Sequence, residues 1–247
     1  MLRAACCVLL VYVVMYLAKT RCNVVIGVAF STMDMKEPFL VNRWPGTNEV
    51  ANKVPTKVCY HVGSKSCISW GFECPEPGNI DRGMNVMVCF KLYLDPAVLR
   101  DTFKDNPEYA IYTDENVQMW LTDFLRALHN HMIEHISTKL RLSDWKSNRV
   151  EYNFSIPTTW QESKVVDTFR GIVVDAGFKK TERHEVRIEL TEAEAMAIYT
   201  MNSPKHQRPI STWGENMESG PEPSTKGSRV QEGHALLICD SGGRTTV

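Results

Sequence analysis

Seven residues near the carboxyl end combine a carboxylate, two glycines and hydroxyls in an order that suits phosphate and metal binding. They are Asp240-Ser-Gly-Gly-Arg-Thr-Thr, and they follow an apolar run that we expect to form a strand. A carboxylate at the end of a strand can hold a hydrated magnesium ion, and glycines let backbone N–H groups approach phosphate oxygens. An ordinary glycine turn is the alternative. The candidate contacts are Asp240, which is also the candidate metal ligand, Gly242, Gly243, Thr245 and Thr246.

Between the amino end and this loop, the apolar pattern changes period several times. The run from Val24 to Phe30 ends at Ser31-Thr32, which is typical of a buried strand followed by a turn. Short extended segments follow over 54–94, the last of them 86–94. Residues 203–232 are predicted to be a flexible insertion. We further predict a helix over 114–140, a strand over 150–156, a helix over 160–176, a strand over 185–190 and a helix over 191–199, opened by Thr191 and Glu194 as a capping box.

The overall charge and the cysteines narrow the classes of function. The 247 residues contain 28 Lys and Arg against 29 Asp and Glu, a net charge of -1, so we expect no nucleic-acid partner. The eight cysteines show neither C-x-x-C spacing nor a small disulfide-rich context, so we expect reduced thiols. The length suits one well-packed core.

Residues 4–18 form an uncharged apolar run. This run is short for a membrane-spanning helix, which needs about 20 residues, but it has the length of the apolar part of a signal peptide. Tyr16 argues against export, because a cleavage site requires a small residue there. We therefore set residues 1–21 apart as a signal, an anchor or an extension, and predict a cytoplasmic protein. The secretory pathway or a membrane is the alternative if residues 4–18 act as a signal or anchor.

Four segments, in the same order along the chain, resemble the seventy-kilodalton heat-shock chaperones and the wider actin-like ATPase superfamily. Residues 25–32 resemble the first phosphate loop of the family, usually Gly-Ile-Asp-Phe-Gly-Thr-Thr. Residues 240–246 resemble the second, usually Asp-x-Gly-Gly-Gly-Thr-x-Asp, and residues 152–160 and 190–195 are similar to segments between the loops. Three more segments are especially similar to divergent, chaperone-like proteins of filamentous fungi: Trp44-Pro-Gly, Lys53-Val-Pro-Thr and Trp70-Gly-Phe-Glu.

The resemblance implies an α/β fold for residues 22–247. The implied unit is a ribonuclease-H-like first lobe, in which helices flank a mixed sheet, with the second lobe absent. In the family, ATP and a magnesium ion lie in a cleft between two such lobes, with one phosphate loop on each side. The implied nucleotide contacts in the first loop are Gly27, Ser31 and Thr32. Co-chaperones or client peptides are implied only for a longer form of the chain.

Several residues depart from the family pattern at positions that matter for hydrolysis. Ala29 stands where the family has a magnesium-orienting aspartate, and it has no oxygen to hold a metal-bound water. Arg244 replaces a glycine and Val247 replaces a second aspartate, so Glu192 and Asp240 are the remaining catalytic candidates. Phosphoryl transfer depends on positioning and on metal-assisted neutralisation of charge. We therefore expect weak ATP binding with little or no hydrolysis, as in a truncated pseudoenzyme.

Other functions compete with this interpretation. His131, Glu134 and His135 have the H-x-x-E-H spacing of a zinc peptidase, but no third ligand is recognisable, so an exposed histidine-rich helix face is favoured. A non-enzymatic remnant or interaction protein that keeps the fold is the main alternative. Buried or loop thiols are favoured over a metal site for three cysteines whose spacing fits no tight turn: Cys59, Cys67 and Cys74.

Overall fold

The structure, a computed structural model of the chain, describes residues 8–17, 24–76, 80, 83–104, 112–160 and 163–195. The predicted insertion at 203–232 and the terminal loop at 240–247 lie outside these ranges. The helices are α1 (Pro96–Phe103), α2 (Asp114–Leu140) and α3 (Ser163–Asp175). The strands are β1 (Val8–Leu17), β2 (Val24–Thr32), β3 (Phe39–Val41), β4 (Val54–Pro55), β5 (Lys57–His61), β6 (Cys67–Trp70), β7 (Met84–Val88), β8 (Arg149–Ile156) and β9 (His184–Thr191).

The larger of two sheets is mixed and contains six strands. Its order is β3-β2-β1-β8-β9, and β4 is a further partner of β2. β1 runs antiparallel to β2 and parallel to β8, and β8 runs parallel to β9. α2 precedes β8 and α3 connects β8 to β9, so the predicted α/β class, with helices flanking a mixed sheet, is confirmed. The smaller sheet has the order β6-β5-β7.

The central strand of the larger sheet comes from the apolar amino-terminal segment. β1 pairs with β2 on one side and with β8 on the other. Its side chains Leu9, Val11 and Val13 are buried in the core. A run rich in β-branched residues is well suited to a strand with neighbours on both sides. The boundary that the sequence suggested at residue 22 is therefore corrected, because the folded unit includes Val8–Leu17.

Helices α2 and α3 pack against the same face of the larger sheet. His129 of α2 lies beside Tyr152 and Phe169 of α3 lies beside Phe154, and these two residues of β8 point to the same side of the sheet. The two helices contact each other, which agrees with this placement. Alternate strand residues are buried on this face: Leu9, Val11, Val13, Ile26, Val28, Phe30, Val150, Tyr152 and Phe154.

α2 is the long helix that the three- and four-residue apolar spacing predicted. Thr113 caps its amino end, where the side chain accepts a hydrogen bond from Asn116 N at 3.2 Å. The helix ends at Arg141, which has a left-handed φ of 54°. Among the described residues, no helix combines the length and the apolar character that crossing a membrane requires.

Candidate functional site

A buried ion pair joins two distant parts of the chain at the carboxyl edge of the larger sheet. Lys91 Nζ lies 2.5 Å from Glu192 Oε1, and the two side chains are 0% and 7% exposed. Glu192 directly follows β9, whose last residue, Thr191, pairs with Ile156 at the end of β8. In open α/β sheets, ligands bind beyond the carboxyl ends of the strands. The pair therefore marks the candidate site.

Lys91 reaches the interior because β7 is shorter than predicted. The strand ends at Val88, and Cys89 has a left-handed φ of 61°, which interrupts an extended backbone. Phe90 then packs against Phe124 of α2, with ring centroids 6.1 Å apart. A short 3-10 helix follows at Leu92–Leu94. The prediction of extended structure through residue 94 is therefore wrong, and the turn directs Lys91 towards Glu192.

A capping box positions Glu192 at the end of β9. Glu194 Oε2 accepts hydrogen bonds from Thr191 N at 2.8 Å and from Thr191 Oγ1 at 2.9 Å, and Glu194 N donates to Thr191 Oγ1 at 3.2 Å. These contacts confirm the predicted capping box. Hydrogen bonds from Thr191 also lower the pKa of Glu194. The helical turn at residues 192–195 begins here, with Glu192 as its first residue.

Two of the three residues predicted for the first phosphate loop lie at the opposite edge of the sheet. Because β2 runs antiparallel to β1, its last residues, Ser31 and Thr32, pair with Leu10 and Leu9 near the amino end of β1. Gly27 lies in the middle of β2. None of these three predicted residues therefore lies at the edge that carries the buried ion pair.

This arrangement separates Thr32 from Glu192 by about 20 Å along the strands. Thr32 is level with Val150 of β8, which precedes Ile156 by six residues at about 3.3 Å each. The structure thus does not bring the first loop and Glu192 into one cleft. The predicted residues of the second loop lie outside the described part of the chain: Asp240, Gly242, Gly243, Thr245 and Thr246.

His131, from the H-x-x-E-H pattern, makes a contact that stabilises the fold. Its Nε2 donates a hydrogen bond to the Arg43 carbonyl at 2.8 Å. Its ring lies beside Trp44 and Trp70, with centroid distances of 5.3 and 6.0 Å. A ring nitrogen that donates a hydrogen bond has no lone pair for zinc. Within the described ranges, no three His, Cys, Asp or Glu side chains are grouped to hold a metal ion.

The cysteines of the smaller sheet and its loops are poor candidates for chemistry. Cys59, Cys67 and Cys74 are free. Burial raises the pKa of the Cys74 thiol to about 12, and burial also raises the pKa of Cys67. Ser69 Oγ donates to Cys74 Sγ at 3.8 Å. Since the thiolate is the nucleophile and the metal ligand, the raised pKa values make Cys67 and Cys74 unsuited to either role at neutral pH.

A second buried polar cluster lies among α2, β8 and β9. Tyr152 Oη accepts a hydrogen bond from Trp145 Nε1 at 3.0 Å and lies 3.3 Å from His129 Nε2. His184 packs edge-on against the rings of Tyr152 and Trp145. Burial, and then the charge of Lys180, lowers the pKa of His129 to about 3, and burial lowers the pKa of His184. Both histidines are therefore neutral at pH 7.

Comparison with protein-family models, with curated proteins and with solved structures finds no match to this chain. The function is therefore inferred from the site. Glu192 was a candidate from the sequence, whereas Lys91 was not. Its signal was a single lysine within the apolar run Val-Cys-Phe-Lys-Leu-Tyr-Leu, because a lysine in such a run is fully buried only when it is paired.

Proposed function

We propose that this chain is a nucleotide-binding lobe of the heat-shock-chaperone-like ATPase type, which binds ATP with Mg²⁺ weakly and hydrolyses it little or not at all. The observation that carries the proposal is the Lys91–Glu192 pair at the carboxyl edge of the larger sheet. A ribonuclease-H-like lobe and a second phosphate loop at residues 240–246 belong to the same proposal. The mixed sheet with its helices supports it, as does the resemblance of segments 190–195 and 240–246.

The two side chains suit different parts of a magnesium nucleotide. A lysine ammonium is a compact charge that binds phosphate oxygens, and a carboxylate can hold a water of hydrated Mg²⁺. Without a ligand, Lys91 and Glu192 neutralise each other. A nucleotide therefore has to separate them, and breaking a buried pair costs free energy. This cost accounts for weak rather than tight binding.

The proposed lack of turnover follows from the other site residues. The Ala29 side chain has no oxygen, and its position on β2 is far from the carboxyl edge of β9. Ser31 and Thr32 lie at the amino edge and cannot contact the same phosphates as Lys91. Because phosphoryl transfer needs all these groups around one metal-bound phosphate, a single lysine and glutamate supply binding without efficient hydrolysis.

A cytoplasmic location is part of the proposal. It is supported by the central position of Val8–Leu17 in the larger sheet. A signal or anchor within residues 4–18 would withdraw this strand from the core. Fractionation of cells that express the full chain with a carboxyl-terminal tag tests the location, and recovery with membranes would contradict it.

A non-enzymatic interaction protein is the second candidate, and one observation favours it. Lys91 is 0% exposed and is already bound to Glu192. A pair of this kind can serve only to hold the end of β9 against the turn that follows β7. In that case the pair fixes the fold and contacts no ligand. The alternative predicts that nucleotide has no effect on the protein.

Calorimetric titration and thermal unfolding of the full chain with Mg²⁺-ATP separate the two candidates. We expect weak binding and a higher melting temperature at millimolar ATP, because a ligand that binds only the native state stabilises it. The variant Lys91→Met/Glu192→Leu should lose both effects without leaving a lone buried charge. Lys164→Met, at an exposed lysine of α3, is the matched control and should keep both effects.

Two outcomes would overturn the proposal. The absence of any binding or thermal shift at millimolar ATP would leave the interaction protein as the function. Unchanged ATP binding by the Lys91→Met/Glu192→Leu variant would show that the nucleotide site lies away from the ion pair.

A further inference from the structure

One face of the larger sheet has no covering element among the described residues. α2 and α3 cover the other face. We define the open face by five residues that point to the same side of the sheet. Leu10, Tyr12 and Val14 are alternate residues of β1, and Ala29 of β2 pairs with Tyr12 and with Leu40 of β3. Leu40 is 51% exposed, and the other four are half-buried. The open face is thus an apolar surface over β1, β2 and β3.

The neighbouring strands show what a solvated sheet face looks like in this protein. On the same side, β8 and β9 carry Glu151, Asn153, Glu185 and Arg187, and Arg187 Nη2 lies 3.2 Å from Glu151 Oε2. A face in contact with water normally carries such polar residues. β1, and β2 as far as Phe30, are instead apolar on both sides, which is the pattern of strands that are covered on both faces. The composition of β1 and β2 therefore indicates that a further element of the protein covers the open face.

We infer that the segment 193–201 of this chain forms that element by continuing the helical turn of residues 192–195 across the open face. From Ala193 to Met201, only Glu194 and Thr200 are polar. A helix that is apolar on nearly all sides is buried rather than exposed. Pro204 sets the end of the segment, because the residue before a proline is disfavoured in a helix.

The length of the segment matches the distance from its start to the Tyr12 part of the open face. Strands lie about 4.8 Å apart, so β1 lies about 10 Å from β9 across the sheet. Tyr12 is level with Asn153, which precedes Ile156, the partner of Thr191, by about 10 Å along the strand, so Tyr12 lies about 14 Å from Thr191. Helical residues 192–201 rise about 15 Å, which is sufficient to reach Tyr12.

Hydroxyl-radical footprinting of the full chain tests the inference at Tyr12. We expect Tyr12 to be protected in the unmodified chain and to lose that protection in the full-length variant Ile198→Glu/Tyr199→Glu. Met33, which is 77% exposed on the turn after β2, is the internal reference and should label equally in both proteins. Equal labelling of Tyr12 in both proteins would overturn the inference. Protection that appears only at high protein concentration would overturn it in favour of a second copy of the chain.

A stability measurement keeps the inference testable if the double variant folds poorly. Ala29→Arg in the full chain should lower the melting temperature by about 5 °C or more, because the charge would lie beneath the segment. Ala97→Arg, at an exposed position of α1, is the matched control and should change it little. Equal and small effects of the two substitutions would show that the open face is solvated, which contradicts the inference.

Discussion

At the scale of residues, a buried lysine is tolerated only while a partner neutralises it. Lys91 is 0% exposed, and Glu192 is its ion-pair partner. Removing either charge from water costs several kcal/mol, which their attraction offsets only when both are present. The two residues lie 101 positions apart in the chain. Glu192 could be proposed from its segment, but its partner depends on long-range packing that no local pattern reports.

The first prediction concerns this coupling. Lys91→Met should lower the free energy of unfolding by about 3–5 kcal/mol, because it leaves the Glu192 carboxylate buried without a partner. Glu192→Leu should also lower it, because the substitution removes the carboxylate that neutralises Lys91. The variant with both substitutions should be destabilised much less than the sum of the two. Urea unfolding measures all three, and additive losses would show that the side chains do not interact.

The second prediction concerns pH. The pKa of His129 is lowered from 6.5 to about 3 by burial, so the unfolded chain takes up a proton below pH 6.5 while the native protein does not. Stability is therefore complete above pH 6.5 and falls as the pH decreases towards 3, by up to about 1.4 kcal/mol per pH unit for this group. Lys180, His184 and Tyr152 face the same ring.

Urea unfolding between pH 7 and pH 5 measures this dependence. His129→Gln should flatten the curve, because it removes the group that must stay neutral. His61→Gln, at an exposed position, should leave the slope unchanged. Equal slopes for the two variants would assign the pH dependence to other groups.

At the scale of elements, hydrophobic periodicity was sufficient to predict a helix or strand wherever one of its faces packs against the core. α2 and β8 follow their predicted ranges, because each buries one face and its apolar residues are spaced accordingly along the sequence. β7 does not, since the left-handed turn at Cys89 occurs at a residue without glycine's conformational freedom, and sequence gives little warning of it. β1 was also misassigned, because a central strand and a signal segment share the same uninterrupted apolar composition.

The third prediction tests a tight contact between two connecting segments. Gly46 has a φ of 81°, and a Cβ there would lie 2.5 Å from Glu73 N and 2.6 Å from Phe72 C, in a short 3-10 helix. Gly46→Ala should therefore cost about 2–4 kcal/mol of stability. Gly63→Ala is the control, since Gly63 has a φ of 79° but no atom within 4 Å of the added Cβ. It should cost only about 1 kcal/mol. Thermal unfolding compares the two, and equal losses would rule out the close contact.

At the scale of the whole molecule, the sheet is organised around β1. The α/β class could be predicted, because alternating helix and strand periods survive in the sequence. The position of the first loop could not, because it depends on whether β1 or β2 occupies the centre of the sheet. With β1 in the centre, β2 reverses direction and its last residues move to the edge away from Glu192.

The fourth prediction tests the role of β1 in the molecule. Val11 is 0% exposed and lies between Phe30 of β2 and Tyr152 of β8. Val11→Ala should lower the free energy of unfolding by about 2–3 kcal/mol through lost burial and the cavity left behind. Val50→Ala, at a residue that is 64% exposed, should change it by less than about 0.5 kcal/mol. A negligible effect of Val11→Ala would place residues 8–17 outside the core.

The pairing of β1 with β8 also has a consequence for how the protein is made. Val8 pairs with Arg149, so β1 has to wait for a partner that is synthesised 141 residues later. The β1–β2 hairpin can form early, but one edge of its apolar ribbon stays unpaired during that interval. Such long-range pairing slows folding and exposes the nascent chain to aggregation. The order of synthesis thus makes the nascent chain most vulnerable at the strand that later forms the centre of its sheet.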